Sequence, residues 1–376
     1  MTECNEMIVS IQNWLSKHDY NFYECNYVPP KFFVSNKKIN VLLRTLFRLN
    51  PFKVNYSDRN IPFTPQATVA MLKAAGVSKD SAMLRSVFPR IYEIKSPLTK
   101  HFALKQGIQI SVALYENSAD DPTPLNTAWL GEFLLDNDDY LGYEETKQLL
   151  ESIIRYFTDE LGYQDFGDEG IYFYYGPTLK KIVYNASAII SALLIRCGKK
   201  YSNQNWISLG CRGIKFILNH QNEDGSWFYA AHPSRPTIDN FHQLYILRAL
   251  QLSKEFVSGC DEAILKGENY YKKLLFDSNG NICPKRYDKN FMPRNTWLFV
   301  KYDSRDLAEA ILYFSEFQKN MKLAEGLVEF VYRNLYDKKN GTICPEKFIY
   351  GNNRNPYIEF QGWMLYALNI FKKNYQ

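Results

Sequence analysis

Along most of the chain apolar residues return every three or four positions. Met7, Ile8, Ile11, Trp14 and Leu15 set the rhythm at the start, and this spacing predicts a helix over 5–18, because side chains at i, i+3 and i+4 share one face. The same period predicts helices over 36–49, 66–75 with Gly76 as C-cap, 124–135, 143–161, 185–197, 206–220, 240–252, 261–275, 304–318, 322–336 and 357–371. Between 84 and 106 the pattern is weaker. Alternating runs such as Ile171 to Tyr175 are short and predict small hairpins at most.

The polar loops between these helices repeat. Gly170, Gly225, Gly280 and Gly341 each open a short aromatic or apolar segment, GIYFYY, GSWFYA, GNICPK and GTICPE, at intervals of 55, 55 and 61 residues. A fainter copy, GIQIS at Gly107, lies 63 residues before the first. A unit of ~55–60 residues is longer than the common helical solenoid repeats and suits two helices plus a long loop, so about six units fill the chain. The expectation is an all-α (α/α)6 toroid, one domain over 1–376, with the long loops gathered at one rim of a central cavity. An open solenoid is the alternative, and the concentration of aromatics in the loops weighs against it. No Ser/Gly-rich linker divides the chain.

Composition narrows the partners. The 45 basic and 40 acidic residues leave a net charge of +5 without a long basic run, so a nucleic acid partner is not expected. Aromatics make up 16% of the residues, 28 of them Tyr; such flat, half-polar surfaces suit sugar rings or isoprenoid chains. The seven cysteines form no CxxC pair and no zinc spacing, which points to a reducing compartment. The opening MTECNEMIVSIQNWL lacks a signal-peptide pattern and no apolar run reaches about 18 residues. The expected protein is cytoplasmic, without a transmembrane segment. His18, His101, His220, His232 and His242 are scattered, and neither a G-x-S-x-G elbow nor a phosphate-cradling glycine loop occurs, so no metal and no cofactor are expected. Cys283 and Cys344, at equivalent places in their repeats, read as small apolar fillers.

The richest candidate chemistry spans Gln221 to Tyr229 and then Asp239-Asn240-Phe241-His242, where a helix begins. Asp or Asn at such a place commonly caps free N–H groups. A cap does not require His242, nor Trp227 and Tyr229 in the preceding loop. A carboxylate, an imidazole and two aromatics can bind a sugar and act on it, which makes Asp239 and His242 candidate catalytic residues and Trp227, Tyr229 and Asn240 candidate substrate-binding residues. Asp303 stands at the equivalent helix start of the next hairpin. With Asp239 it would supply the general acid and base of glycoside chemistry, charged helix capping being the competing role.

This loop and helix start resemble the VpsJ-like proteins of bacterial exopolysaccharide and capsule gene clusters, in which a Q-x-x-D-G-S-W-x-Y loop precedes D-N-F-H. The resemblance extends to Trp14 with the Tyr20 to Tyr23 loop, Pro122-Thr123 with Asn126-Thr127, Tyr174-Tyr175 with Asn185-Ala186, Asp303 with Ala308, and Trp363-Met364. It departs from the pattern at Glu24 and near Glu359. The resemblance implies an α/α-toroid fold and a link to surface-polysaccharide assembly, and adds Tyr174 and Asn185 to the candidate substrate-binding residues.

A rival class has its own signals. Gly213 to Trp227 resembles the Q-W repeat of terpenoid cyclases, which are also α/α toroids, and Asp136-Asn137-Asp138-Asp139 reads as the D-x-D-D protonating motif of class II cyclases. A solvated turn at a helix end also explains that quartet. Three functions therefore stand: a protein that binds or modifies a glycan or glycan precursor by glycoside hydrolase-, lyase- or epimerase-like chemistry, a non-catalytic polysaccharide assembly factor, and a small terpenoid cyclase.

Overall fold

A computed structural model describes residues 1–20, 36, 38–39, 42, 64–107, 110–111, 116–176, 180–231, 236–292 and 299–375. Most of the helix expected over 36–49, the segment 21–30 with Tyr23 and Glu24, and His232 lie outside these residues. The chain is all-α in architecture, and its strands are short pieces within the connecting loops. Two compact units are formed, one from 99–103 and 122–294, the other from 1–98, 104–121 and 295–376.

The first unit contains α4 (Pro124–Asp136), α5 (Tyr143–Arg155), α6 (Tyr184–Tyr201), α7 (Gln204–Asn219), α8 (Asn240–Ser253) and α9 (Cys260–Leu275). Helices α4, α6 and α8 are buried on nearly every face, whereas α5 and α7 bury a single stripe. That difference follows from sequence. AIISALLI in α6 is apolar all round, while in α7 Ile214 and Ile217 sit among polar residues at helical spacing. A short π-helical stretch, Tyr156–Leu161, extends α5.

The second unit contains α1 (Thr2–Lys17), α2 (Pro65–Ser78), α3 (Ser81–Val87), α10 (Ser304–Glu316), α11 (Met321–Asn334) and α12 (Ile358–Tyr375). Here α2, α10 and α12 are the buried helices. Helix α12 packs against α2, α10 and α1, so the first and last described helices of the chain are neighbours. The C-cap expected at Gly76 is three residues further on. Gly76 continues α2, and Lys79, at φ 54°, takes the left-handed turn.

The repeat has a structural cause in each unit. Gly170, Gly225, Gly280 and Gly341 have φ of 110°, 91°, 79° and 68°, the left-handed region that a side chain resists. The fourth residue of three buried helices then clamps the loop. Ser187 Oγ accepts from the Phe173 N–H at 3.1 Å. The Gln243 amide accepts from the Trp227 N–H and donates to its carbonyl, and Gln361 does the same for Ile343. Finally, the residue preceding a buried helix pairs as a strand with the loop of the following copy: Val183 with Ala230, Asp239 with Tyr287, Asp303 with Glu346. Strand β1 (Ile110–Ser111) pairs with β2 (Glu116–Asn117), and the expected hairpins are seen as β3 (Tyr163–Asp165) with β4 (Ile171–Phe173) and β6 (Tyr336–Asp337) with β7 (Thr342–Ile343); β5 (Val300–Asp303) pairs with β8 (Glu346–Phe348), which pairs with β9 (Gly351–Asn352).

Candidate active site

This pairing rule builds the site at the start of α8. Asp239 is the N-cap, its Oδ1 accepting from the His242 N–H at 3.2 Å. One helical turn on, the His242 side chain folds back and its Nδ1 lies 2.6 Å from Asp239 Oδ2. Because Asp239 is paired with Tyr287 in the next loop, the adjacent Arg286 is brought over the same turn. Its Nη1 is 3.4 Å from Asp239 Oδ1 and its guanidinium lies 4.2 Å from the centre of the Phe241 ring.

The electrostatics follow from burial. Loss of solvent pushes the Asp239 carboxyl up, and His242 and Arg286, together with the hydrogen bonds from His242, more than reverse this and hold it below the usual carboxylate range. An ionised Asp239 accepts the Nδ1–H of His242. In the neutral ring this places the remaining proton on Nδ1 and leaves Nε2 as the basic nitrogen. The His242 ring, 15% exposed, is flanked by Tyr229 at 4.5 Å, Phe241 at 4.2 Å and Tyr245 at 5.6 Å between ring centres. Trp129 of α4 meets Tyr245 edge-on at 5.3 Å. An aromatic surround around an oriented imidazole is an arrangement for proton transfer on a bound organic molecule.

Tyr229 joins this group to the start of α6. It packs with Tyr175 on Val183, Ala186 and Ala230. Beside Ala186, Asn185 is buried, and neither its amide nitrogen nor its amide oxygen has a hydrogen-bond partner among the described residues. A buried amide in that condition carries a large desolvation cost, which a ligand's hydroxyl groups would offset.

The remaining candidates fall elsewhere. Trp227 is fully buried, its indole N–H donating to the Ile217 carbonyl at 2.9 Å, and its ring fills the space opposite Gly267; it offers no face to a sugar, contrary to the expected stacking role. Asn240 is likewise spent on the protein, its Nδ2 donating to Lys285 O and its Oδ1 accepting from Tyr271 OH. Tyr174 is half-buried and donates its hydroxyl to Gln164 at 3.3 Å. It is the adjacent Tyr175 that packs with Tyr229. Asp303 caps α10 and makes a two-point ion pair with Arg305, Oδ2 to Nη2 at 2.8 Å and Oδ1 to Nε at 3.1 Å. Burial works against the Arg305 charge, and Asp303, Glu359 and Glu346 more than compensate, so the guanidinium is held well above its ordinary value. A carboxylate so committed is a poor proton donor.

The acidic quartet ends α4 in partly solvated ion pairs. Asp136 meets Arg196 and Asp138 lies 2.8 Å from Lys200. The hydrogen bond from Lys200 pulls Asp138 below the usual range, the opposite of what a protonating acid needs. Arg196 and Lys200 close α6, whereas Asn185 opens it, about 17–23 Å away along the helix. Cys344 is buried, and burial pushes its thiol up to about 12, as a packing residue's would be. Among the described residues no group of His, Cys, Asp and Glu could hold a metal ion, and no helix is long and apolar enough to cross a membrane.

Sequence reading gave no individual role to Arg286, Tyr175, Phe241, Tyr245 or Trp129, although Tyr175 and Phe241 lie within the motifs it singled out. Arg286 carried one signal, its place two residues after the proline of the repeated Gly-x-Ile-Cys-Pro.

No protein-family model matches the sequence, and no curated protein does. Solved structures do match. A family 76 glycoside hydrolase (mannosidase) from Bacteroides thetaiotaomicron VPI-5482 superposes with a TM-score of 0.65 at 12% identity, covering 98% of this chain and 100% of that one. A D-mannose isomerase gives 0.61 at 13% identity over 99% and 98%. The cellobiose 2-epimerase of Bacillus thermoamylovorans B4167 gives 0.62 at 10% identity over 82% and 88%. The fold is thus the multi-hairpin, toroid-like α/α fold of the six-hairpin glycosidase type.

Proposed function

We propose that this protein is a carbohydrate-active enzyme that moves a proton on a sugar through His242, in the manner of an epimerase or isomerase. The observation that carries the reading is the 2.6 Å contact between His242 Nδ1 and the buried Asp239. It orients the ring, fixes the tautomer and stabilises the imidazolium formed when Nε2 takes a proton. Inverting a carbon next to a carbonyl, or moving that carbonyl by one carbon, needs such a base. The C–H electron pair passes to the carbonyl oxygen as the proton leaves, giving an enediol once that oxygen is protonated; the carbonyl moves when a proton returns to the adjacent carbon and the neighbouring hydroxyl proton is lost, and the carbon inverts when a proton reaches its opposite face from a second donor such as water. Glycoside hydrolysis needs two carboxyl groups, one of them protonated. Asp239 and Asp303, the pair expected for it, are both engaged with cations. Proteins of this fold include a D-mannose isomerase and cellobiose 2-epimerases, which supports the substrate class. The VpsJ-like motifs favour a precursor of a surface polysaccharide, handled in the cytoplasm.

The test is proton NMR in D2O with D-mannose, D-glucose and cellobiose, alongside a reducing-end assay on mannan oligosaccharides. Deuterium should enter at C2 of the aldose, or at C1 of a ketose formed from it, and His242→Gln should slow entry by at least about a hundredfold, the usual worth of a positioned base. Release of reducing ends without deuterium entry would make the protein a hydrolase. Sugar binding with neither reaction would make it an assembly factor.

A further inference from the structure

We propose a second site, for an anionic sugar, in a cleft of about 460 Å³ beside the last copy of the repeated loop. Its walls include Tyr332 and Arg333 at the end of α11, Tyr336, Lys338 and Lys339 of the loop, and Arg354 beyond β9. The four cations are solvent-exposed. The tyrosine rings stack 5.4 Å apart, and the Lys338 ammonium sits 4.3 Å from the centre of the Tyr332 ring. A hydrogen bond to Tyr332 raises the Lys338 pKa, so the charge is present throughout the physiological range. Asp337, on the wall, is turned to its own loop and accepts from the Lys339 N–H at 3.1 Å and from Asn340 Nδ2 at 2.7 Å, and Glu6 accepts the Tyr332 hydroxyl at 2.7 Å and faces the Lys338 charge. Arg333 also meets Glu329, at 3.1 Å on the exposed helix face.

The turn itself does not require these lysines. The preceding copy makes the same aspartate-centred turn, Asp277 Oδ1 accepting from the Asn279 and Asn281 N–H groups at 2.9 Å, with Ser278 and Asn279 in place of the charged pair. The copies before Gly170 and Gly225 have Asp168-Glu169 and Glu223-Asp224 there. The last copy alone of the four is cationic, and it is one residue longer between the aspartate and the glycine than the copy at Gly280. Clustered Lys and Arg around a cleft of this size fit a carboxylate or phosphate group, Arg by two-point hydrogen bonding and Lys as a point charge. That the anion is carried on a sugar rests on the carbohydrate reading above.

The experiment is calorimetric titration of the full chain with an oligoglucuronate, a neutral gluco-oligosaccharide of equal length, and inorganic phosphate. The oligoglucuronate should bind, more weakly as salt is raised. Lys338→Ser with Lys339→Asn, the residues of the neutral turn, should weaken it at least about tenfold, with melting temperature and sugar turnover unchanged. Arg354→Gln should add to the loss. If phosphate binds at the cleft and the oligoglucuronate does not, the site takes a free anion and its assignment to a sugar is overturned. Binding untouched by the lysine substitutions, or equal binding of the neutral oligosaccharide, overturns the proposal. Loss of turnover in His242→Gln with anion binding intact separates this site from the proton-transfer reading, since either can fail alone.

Discussion

Asp239 caps α8, orients His242 and neutralises Arg286 with one carboxylate. Asp239→Asn keeps an acceptor for the cap but leaves Arg286 charged and buried, a condition that costs about 3–5 kcal/mol. Denaturant unfolding should show a loss of that order, and adding Arg286→Met should recover part of it. The pH dependence has a defined sign. The folded-state carboxyl titrates below its ordinary value of 3.8, so its contribution is complete above that value and is lost as pH falls through the lower folded one. The stability gap between wild type and Asp239→Asn should shrink as pH falls below about 4. A gap that widens over that acid range would contradict the ion pair.

Residues near Asp239 also mark what was legible in the sequence. Asp239, His242 and Tyr229 are close in the chain, and a helix start with a folded-back side chain three residues on is a local device. Arg286 belongs to the same site but comes from the next loop, and its approach depends on the strand pairing of Asp239 with Tyr287, which no local pattern announces. Trp227 was misread for a related reason. An aromatic residue in a polar loop looks like surface, yet its backbone is clamped by Gln243 and its ring is packed against Gly267, 40 residues downstream.

At the scale of elements, the helices were legible because their apolar period is strong, and their ends were misplaced by a few residues where capping decides. The loops were legible through their glycines, and two of these separate conformation from crowding. Gly280 has φ 79° with open space around the position of a Cβ, whereas at Gly225, φ 91°, a Cβ would stand 2.3 Å from the Lys266 carbonyl oxygen. Gly280→Ala should therefore cost only about 1–2 kcal/mol, the conformational penalty of a left-handed residue. Gly225→Ala pays that and must also shift the loop from α9, for a total of about 3 kcal/mol or more. Thermal unfolding of the two variants tests the order, and equal losses would mean that the loop is not seated on α9.

For the molecule as a whole, α12 packs against α1, α2 and α10, so the unit holding both ends of the chain depends on its last helix. Deleting 358–375 should expose the buried faces of α2 and α10 and make residues 64–98 and 300–334 the first targets of limited proteolysis. Cleavage confined to other segments would count against this dependence.

The strand pairing between the start of one buried helix and the loop of the following copy has a consequence for descent. In a chain grown by duplicating one hairpin, each new copy arrives with a polar tip supplied partly by its successor, so chemistry can be revised in a loop while helix packing is inherited untouched. The posts before α6, α8 and α10 are Val183, Asp239 and Asp303. Opposite them stand Ala230, Tyr287 beside Arg286, and Glu346. The three equivalent posts thus carry an apolar contact, a buried aspartate–histidine pair and a sealed aspartate–arginine pair, and exchanging whole loops between copies would test whether each pairing travels with its loop.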